Sequence, residues 1–331
     1  MNSSSSRIRV LYVVERFPQL SETYIHAEIA ALKDDYDIRV FALQPANSPA
    51  KEHYPYTQKQ HPAHLREVIQ EFKPNVLHTH YATLIPNLER ISANNRVPYT
   101  VRAHSFDTDG YRPPDLRVSD YCLGVLSFPY TRSVLESAQI PKERILDCWP
   151  VIDFARFHDT SPNGNAILNL GASLPKKNFQ DFLDLGALMR GREFNLYSIG
   201  YNTPQLIDKN REMGEPVRIL PPVEHSQMPA VYKKHQWLVY TANKKLGNVG
   251  WPLALAEAMA AGTGVCMQNL RPDLKQFLGG AGFLFDSVQE LPRIVSQPVP
   301  KEMRELGFKV AKRSDINVHK KLLTDLWDKC A

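Results

Sequence analysis

Leu246-Gly247-Asn248-Val249-Gly250-Trp251-Pro252-Leu253-Ala254-Leu255-Ala256-Glu257-Ala258-Met259-Ala260-Ala261-Gly262 is the stretch on which the reading of this chain turns. It opens as a polar, Gly-containing loop and passes Pro252, which suits the first turn of a helix because its missing N–H would be unpaired there. Strong helix formers then run from Leu253 to Ala261, and Gly262 stops them. The start of such a helix offers unpaired N–H groups and the positive end of its dipole, a place that suits an anion. Glu257 lies about one turn in, among apolar residues. A buried carboxylate there needs a hydroxyl or a cation to bind; the alternative is a surface Glu on an amphipathic helix, and the pattern leaves both open.

Around this stretch, short β-branched runs alternate with helical patterns. Ile8–Val14, Ile38–Leu43, Val76–Tyr81, Tyr99–Ala103, Cys122–Phe128 and Ile145–Val151 read as strands, with helices at Thr23–Lys33, Leu65–Phe72, Leu84–Ala93 and Thr131–Ala138. Asp153–Asn165 is polar, with Pro and Gly late in it, and reads as a linker. Alternation then restarts: strands Ala166–Leu170, Phe194–Ile199, Val217–Leu220, Trp237–Thr241, Val265–Gln268 and Gly282–Phe285, with helices at Phe179–Met189, Gln205–Met213 and Ala230–Lys234 as well as the one carrying Glu257. This predicts an α/β protein of two doubly wound, Rossmann-like domains facing across a cleft, with ligands beyond the carboxyl ends of the strands. The expected boundaries are 1–152, a linker at 153–165, 166–313, and a terminal helix in 314–331 packing back toward the first domain.

Composition agrees. A chain of 331 residues, 43% hydrophobic and 23% charged, is an ordinary globular protein long enough for two domains. A net charge of +5 fits an anionic ligand or peripheral contact with an anionic membrane, but is too small to argue for nucleic acid. Cys122, Cys148, Cys266 and Cys330 lack metal-type spacing, and the first three sit in apolar runs as buried thiols of a reducing compartment would. Neither a signal peptide nor a membrane span is evident, so a cytoplasmic location is expected.

Several constellations carry candidate chemistry. In Phe17-Pro18-Gln19-Leu20-Ser21-Glu22-Thr23, Ser21 reads as an N-cap; the helix start behind it either faces a phosphate or is simply capped. His78 and His80 share one face of a strand and form a metal-type pair, but no third ligand is evident, and cleft-rim or polar packing roles compete. His104 ends the next strand, where an imidazole either hydrogen-bonds a substrate hydroxyl or is structural. Asp107-Thr108-Asp109 is a metal–diphosphate pattern that is equally turn chemistry. In Gly171-Ala172-Ser173-Leu174-Pro175-Lys176-Lys177-Asn178, two lysines at a strand's end could neutralise phosphate oxygens. The basic, aromatic stretch Lys51–His64 is either an acceptor loop or a solvated connection.

In this order, these pieces resemble the retaining glycosyltransferases of family 4, which have the GT-B fold, and the resemblance covers nearly the whole chain. It rests on Phe17-Pro18…Ser21-Glu22-Thr23, His104 with Asp107, Val151-Ile152-Asp153-Phe154-Ala155-Arg156-Phe157, Gly171–Asn178, the Val217–Tyr232 segment, and Gly250-Trp251-Pro252 with Glu257–Gly262. It implies transfer of a hexosyl or pentosyl group from a nucleotide-sugar to an acceptor hydroxyl (of a glycan, lipid-linked glycan or small molecule, as in polysaccharide biosynthesis), with retained configuration and no metal or other cofactor. It implies an acceptor-binding first domain and a donor-binding second. Carried over residue by residue, Glu257 holds the ribose, and Lys177 binds the diphosphate and steadies the leaving group beside Lys176 and Ser173. Backbone at Val249, Gly250, Trp251 and Pro252 lines the sugar and diphosphate, and Val223 lies near the base. His104 faces the transferred sugar, while Ser21, Glu22 and Thr23 form the rim where acceptor and phosphate meet.

Two departures stand out. Val249 occupies the place of a glutamate that commonly touches the sugar, and Ala172 that of an arginine beside the diphosphate. Each costs a charged hydrogen bond of ~1.5–3 kcal/mol, unless Asn248, Lys244, Lys245 or Lys176 compensates. They motivate an alternative, a catalytically weakened binding or activating subunit of a partner enzyme. A third reading, glycosyl transfer to nucleic acid, rests on net charge alone, and nucleic acid is not expected as a partner.

Overall fold

The computed structural model describes residues 7–47, 49–50, 64–104, 116–246 and 249–331. The Asp107–Asp109 motif, Asn248, and all of the Lys51–His64 stretch except His64 lie outside the described residues. The chain divides into two compact units, Met1–Val151 with Ile316–Ala331, and Ile152–Asp315.

The first unit is a six-stranded parallel sheet, in order β2-β1-β3-β4-β5-β6. Its strands are β1 (Arg9–Arg16), β2 (Asp37–Gln44), β3 (Val76–His80), β4 (Tyr99–Arg102), β5 (Cys122–Ser127) and β6 (Ile145–Asp147). β1 shows why the sheet is covered on both faces. Its alternate residues Leu11 and Val13 join Phe41, Leu77 and Tyr99 in one core, while Val10, Tyr12 and Val14 join Ile25, Ile29, Leu323 and Trp327 in another. The terminal helix Ile316–Trp327 thus completes this unit's second core. Trp327 Nε1 also donates to Thr100 Oγ1 at 3.0 Å.

The second unit repeats the plan, in order β12-β11-β10-β7-β8-β9. Its strands are β7 (Ala166–Ala172), β8 (Phe194–Ile199), β9 (Arg218–Leu220), β10 (His235–Tyr240), β11 (Gly264–Gln268) and β12 (Gly282–Phe285). Ile167, Phe182, Phe194, Trp237 and Val239 are among its core residues.

Some expectations need correction. Asp153–Asn165 belongs to the second unit rather than standing apart as a linker. Asp153 caps a short helix, Phe154–Phe157, by accepting the Arg156 N–H, and Phe157 is buried. Asn163 donates to the carbonyls of Tyr232 and His235 and to Thr263 Oγ1. The polarity that suggested a linker satisfies buried backbone instead. The helix Lys301–Lys312 escaped the reading because its buried face consists of the small or short residues Gly307, Val310 and Ala311 in a charged segment.

The helix in the opening stretch runs from Leu253 to Ala260, with Pro252 one position outside it. At its far end Gly262 has φ +75°, and Thr263 N–H bonds the Ala258 carbonyl while Gly262 N–H bonds Met259's, a Schellman stop. Every residue from Leu255 to Ala260 is buried, so this is no amphipathic surface helix. Among the described residues no helix is long and apolar enough to cross a membrane.

Candidate functional site

In the second unit the strand order reverses between β7 and β10, and an open α/β sheet presents its ligand crevice at such a switch point. The loops leaving these two strands are tied together: Asn243 N–H donates to the Lys176 carbonyl (2.9 Å) and Thr241 Oγ1 to that of Lys177 (2.8 Å). Ser173, nearly buried, donates its N–H to Ile199 and accepts from Asn202 through its carbonyl.

Lys177 Nζ donates to Tyr240 Oη at 2.5 Å and lies 4.1 Å from that ring's centre. No acidic side chain among the described residues pairs with it, and burial pushes its ammonium down to about 8. Lys176 shifts down too, through burial and then its neighbour's charge. Gly171 makes the space: its φ is +137°, and a Cβ there would meet Lys177 Cε and Nζ at 3.2 Å. Gly171→Ala is therefore expected to cost about 1 kcal/mol or more through the strained backbone and to displace Lys177; a denaturant midpoint measured beside nucleotide affinity checks both effects.

The loop before the Glu257 helix is pinned from behind. Arg271 donates to the Val249 carbonyl at 2.6 Å, Trp251 Nε1 to Asp273 at 2.7 Å, and the Trp251 ring stacks on Phe277. The Val249 and Trp251 side chains are buried, leaving the backbone from Val249 to Pro252 as what the loop can offer a ligand. Glu257 is 5% exposed. It accepts from Tyr232 Oη at 2.7 Å and lies 3.2 Å from His225 Nε2, while Arg156 stands behind His225 at 3.4 Å. The structure thus brings Glu257 together with two groups the sequence had not singled out as its partners. Val223, half-buried, lies two residues before His225. Lys244 pairs with Asp286 at 2.9 Å, so it is committed elsewhere.

In the first unit Ser21 is exposed and is not the N-cap; the helix starts at Thr23 with Glu22 in the cap position and no side-chain cap. Glu22 is pushed up to about 7, chiefly by burial, against a hydrogen bond from Tyr81. A carboxyl raised in the folded state stabilises fully below its unfolded value and loses that contribution as pH rises through about 7. Glu22→Gln should therefore raise the melting temperature relative to the parent at pH 8 but not at pH 5, which paired thermal scans would show.

His78 and His80 are fully buried rather than at a rim, and both face Glu28 of the helix Thr23–Leu32, the third donor that the sequence did not reveal. Glu28 is the hub of an interior network. Its Oε2 accepts from Arg102 Nε (2.8 Å) and Nη2 (2.5 Å), and its Oε1 from Tyr12 Oη (3.1 Å). His80 Nε2 is 3.2 Å from Oε1; His78 Nε2 is 3.1 Å away but off the hydrogen-bonding direction. Glu28, His78 and His80 have the donor set of a metal site, but the Arg102 guanidinium already supplies the cation for this carboxylate.

Beyond it, His80 Nδ1 lies 3.2 Å from His104 Nε2. His104 is walled by Tyr24 and Tyr81, their ring centres 4.6 and 5.1 Å away and their hydroxyls 2.7 Å apart. Tyr81 adopts φ +93°, a strained backbone for an aromatic residue.

No curated protein sequence matches the chain. Residues 164–297 match the family model for Glycosyl transferases group 1. Among solved structures, Anabaena HepE in complex with UDP-glucose is 14% identical, covering 97% of this chain and 100% of that one with a TM-score of 0.75. Sucrose-phosphate synthase from Thermosynechococcus elongatus is 12% identical, covering 98% and 99% with a TM-score of 0.71. At such identities the likeness speaks for the fold. The chain has the two-sheet GT-B glycosyltransferase fold, and its second unit carries the match to a group 1 glycosyltransferase domain.

Proposed function

We propose that the protein is a retaining, metal-independent glycosyltransferase of the family 4 kind, using a nucleotide-diphosphate-sugar donor and an acceptor hydroxyl. One observation carries this reading: Lys177, a largely desolvated ammonium with no acidic partner among the described residues, stands at the switch point of a group 1 glycosyltransferase domain. In the reaction, the bond from the anomeric carbon to the diphosphate breaks and one to the acceptor oxygen forms, while the acceptor's proton leaves on the departing phosphate. Lys177 steadies the charge that grows on that phosphate, a task elsewhere given to a metal ion. The Val249–Pro252 backbone lines the sugar and diphosphate. Glu257, with two partners already, uses remaining acceptor capacity for the ribose. Val223 borders the base, His104 addresses the sugar, and Ser21, Glu22 and Thr23 form the acceptor rim.

A panel of nucleotide-sugars, begun with the UDP-glucose that HepE binds, tests the proposal by nucleotide release. Silence with every donor, and no nucleotide binding, would refute it. A second reading, an activating subunit that has lost transfer, is favoured by the buried Val249 and by Lys244's commitment to Asp286. Turnover by the isolated chain would exclude that second reading.

A further inference from the structure

We infer that Arg156 and His225 are positioning residues for the nucleotide: Arg156, acting through the His225 imidazole, leaves Glu257 a full carboxylate with one acceptor position open on each oxygen, and so makes the second unit prefer ribose over deoxyribose. The inference deepens the proposed donor binding at Glu257 and rests on that reading for its ligand alone.

Arg156, His225, Tyr232 and Glu257 all belong to the second unit. Arg156 stands on the short helix Phe154–Phe157, which Asp153 caps, so its side chain leaves from a fixed backbone. Its Nη1 lies 3.4 Å from His225 Nδ1. A guanidinium keeps its charge and has no acceptor atom, so Nδ1 must offer a lone pair. A hydrogen on Nδ1 would set one N–H against another. The ring therefore carries its hydrogen at Nε2, and Glu257 Oε1, 3.2 Å away, accepts it. At the other oxygen, Tyr232 Oη donates at 2.7 Å. Burial and then the neighbouring carboxylate push this hydroxyl well above its usual range, so it stays a donor. Each Glu257 oxygen thus takes one hydrogen from the protein and keeps one acceptor position. Two such positions on one carboxylate match the two neighbouring hydroxyls of a ribose, and a deoxyribose leaves one of them bare.

What the guanidinium adds is the charge state of the imidazole. A carboxylate favours a proton on the histidine beside it, and an imidazolium would form an ion pair that takes up the carboxylate's charge. With Arg156 against Nδ1, that second proton has no place. His225 then serves Glu257 as a neutral donor, and a hydroxyl meets the carboxylate in a charge-assisted hydrogen bond, roughly twice as strong as a neutral one. Phe157 holds the arrangement from the side, its ring centre 5.5 Å from that of His225 and 5.9 Å from that of Tyr232. One short helix therefore sets both the place of the imidazole and its hydrogen.

The test uses the full-length protein and calorimetric affinities for UDP, GDP and ADP beside their deoxyribose counterparts. The wild type should prefer the ribonucleotide about tenfold or more, the value of one charge-assisted hydrogen bond. In Arg156→Met the preference should fall to about threefold, because halving the strength of that bond takes the square root of its effect. Affinity for the deoxynucleotide should change little, whereas a merely structural defect would lower both affinities together. His225→Gln, whose amide donates to Glu257 but cannot gain a proton, should keep the preference, and adding Arg156→Met to it should then have no effect. The hydrogens are read separately from nitrogen spectra of the 15N-histidine-labelled protein without nucleotide, with His225 assigned by the signals missing from His225→Gln. At neutral pH the wild-type ring should be neutral and protonated at Nε2; in Arg156→Met it should become an imidazolium. A wild-type His225 that is charged or protonated at Nδ1 would overturn the inference. So would an equal loss of ribo- and deoxynucleotide affinity in Arg156→Met, or the same loss of preference in the His225→Gln background. Binding of no nucleotide would sink the donor-site reading and the ribose preference with it, while the nitrogen spectra would still decide the hydrogen positions.

Discussion

Lys177→Met is expected to weaken nucleotide-diphosphate binding by about a hundredfold or more while making the ligand-free protein more heat-stable. The first effect follows from two charge-assisted hydrogen bonds to phosphate oxygens at ~1.5–3 kcal/mol each. The second follows from the direction of the lysine's shift. Its folded value, about 8, lies below its ordinary 10.5. Between those values the unfolded chain holds more protons, so the cost of the desolvated ammonium is full below about pH 8 and disappears toward 10.5. Methionine fills the same space without that cost. A gain of about 1 kcal/mol, or roughly 2–4 °C for a unit of this size, is the expected result near neutral pH, narrowing as pH rises. Calorimetric titration and thermal scans on one preparation check both halves. A site chosen for stability alone would not behave in this way, whereas one that waits for an anion would.

Glu28→Ala should be among the most damaging single substitutions in the first unit. It removes the carboxylate from beside a buried arginine and from the reach of His78, His80 and Tyr12. Breaking one side of a buried ion pair typically costs 3–5 kcal/mol, because the remaining charge is left uncompensated. The corresponding fall in melting temperature is about 10 °C. The wild-type contribution should also depend on acid. A carboxyl held below its ordinary 4.5 stabilises fully above that value and loses the contribution as pH falls through the folded-state value. Guanidinium unfolding of both proteins from neutral to acid pH checks this: the gap between them should close on acidification.

Much of the fold could be read from the chain because parallel strands buried on both faces are continuous apolar runs, as in Val10–Val14, with helical periods between them. What escaped was made by tertiary contact. Glu28 reads as one more helical glutamate in His26-Ala27-Glu28-Ile29, and nothing local brings it to His78 and His80, about fifty residues away. Glu257 was conspicuous as a carboxylate among alanines, yet its partners Tyr232 and His225 lie 25 and 32 residues away in sequence. Ser21 misled because an N-cap side chain signals a helix start only when its own backbone enters at that residue, and here the helix begins two positions later. The lysine pair at Lys176 and Lys177 stood out by its place at a strand's end, but its burial did not; the loop tied to β10 and the open side of Gly171 are what draw Lys177 inward.

The most direct test of the central claim is calorimetric titration of the intact chain with a panel of nucleotide-diphosphate-sugars near pH 8, in two buffers of different ionisation heat. Because Lys177 is half-charged near that pH and a diphosphate would fully charge it, binding should take up about half a proton. That uptake should shrink toward zero below pH 7 and vanish in Lys177→Met. Binding of no nucleotide, or tight binding with neither proton uptake nor dependence on Lys177, would contradict the account.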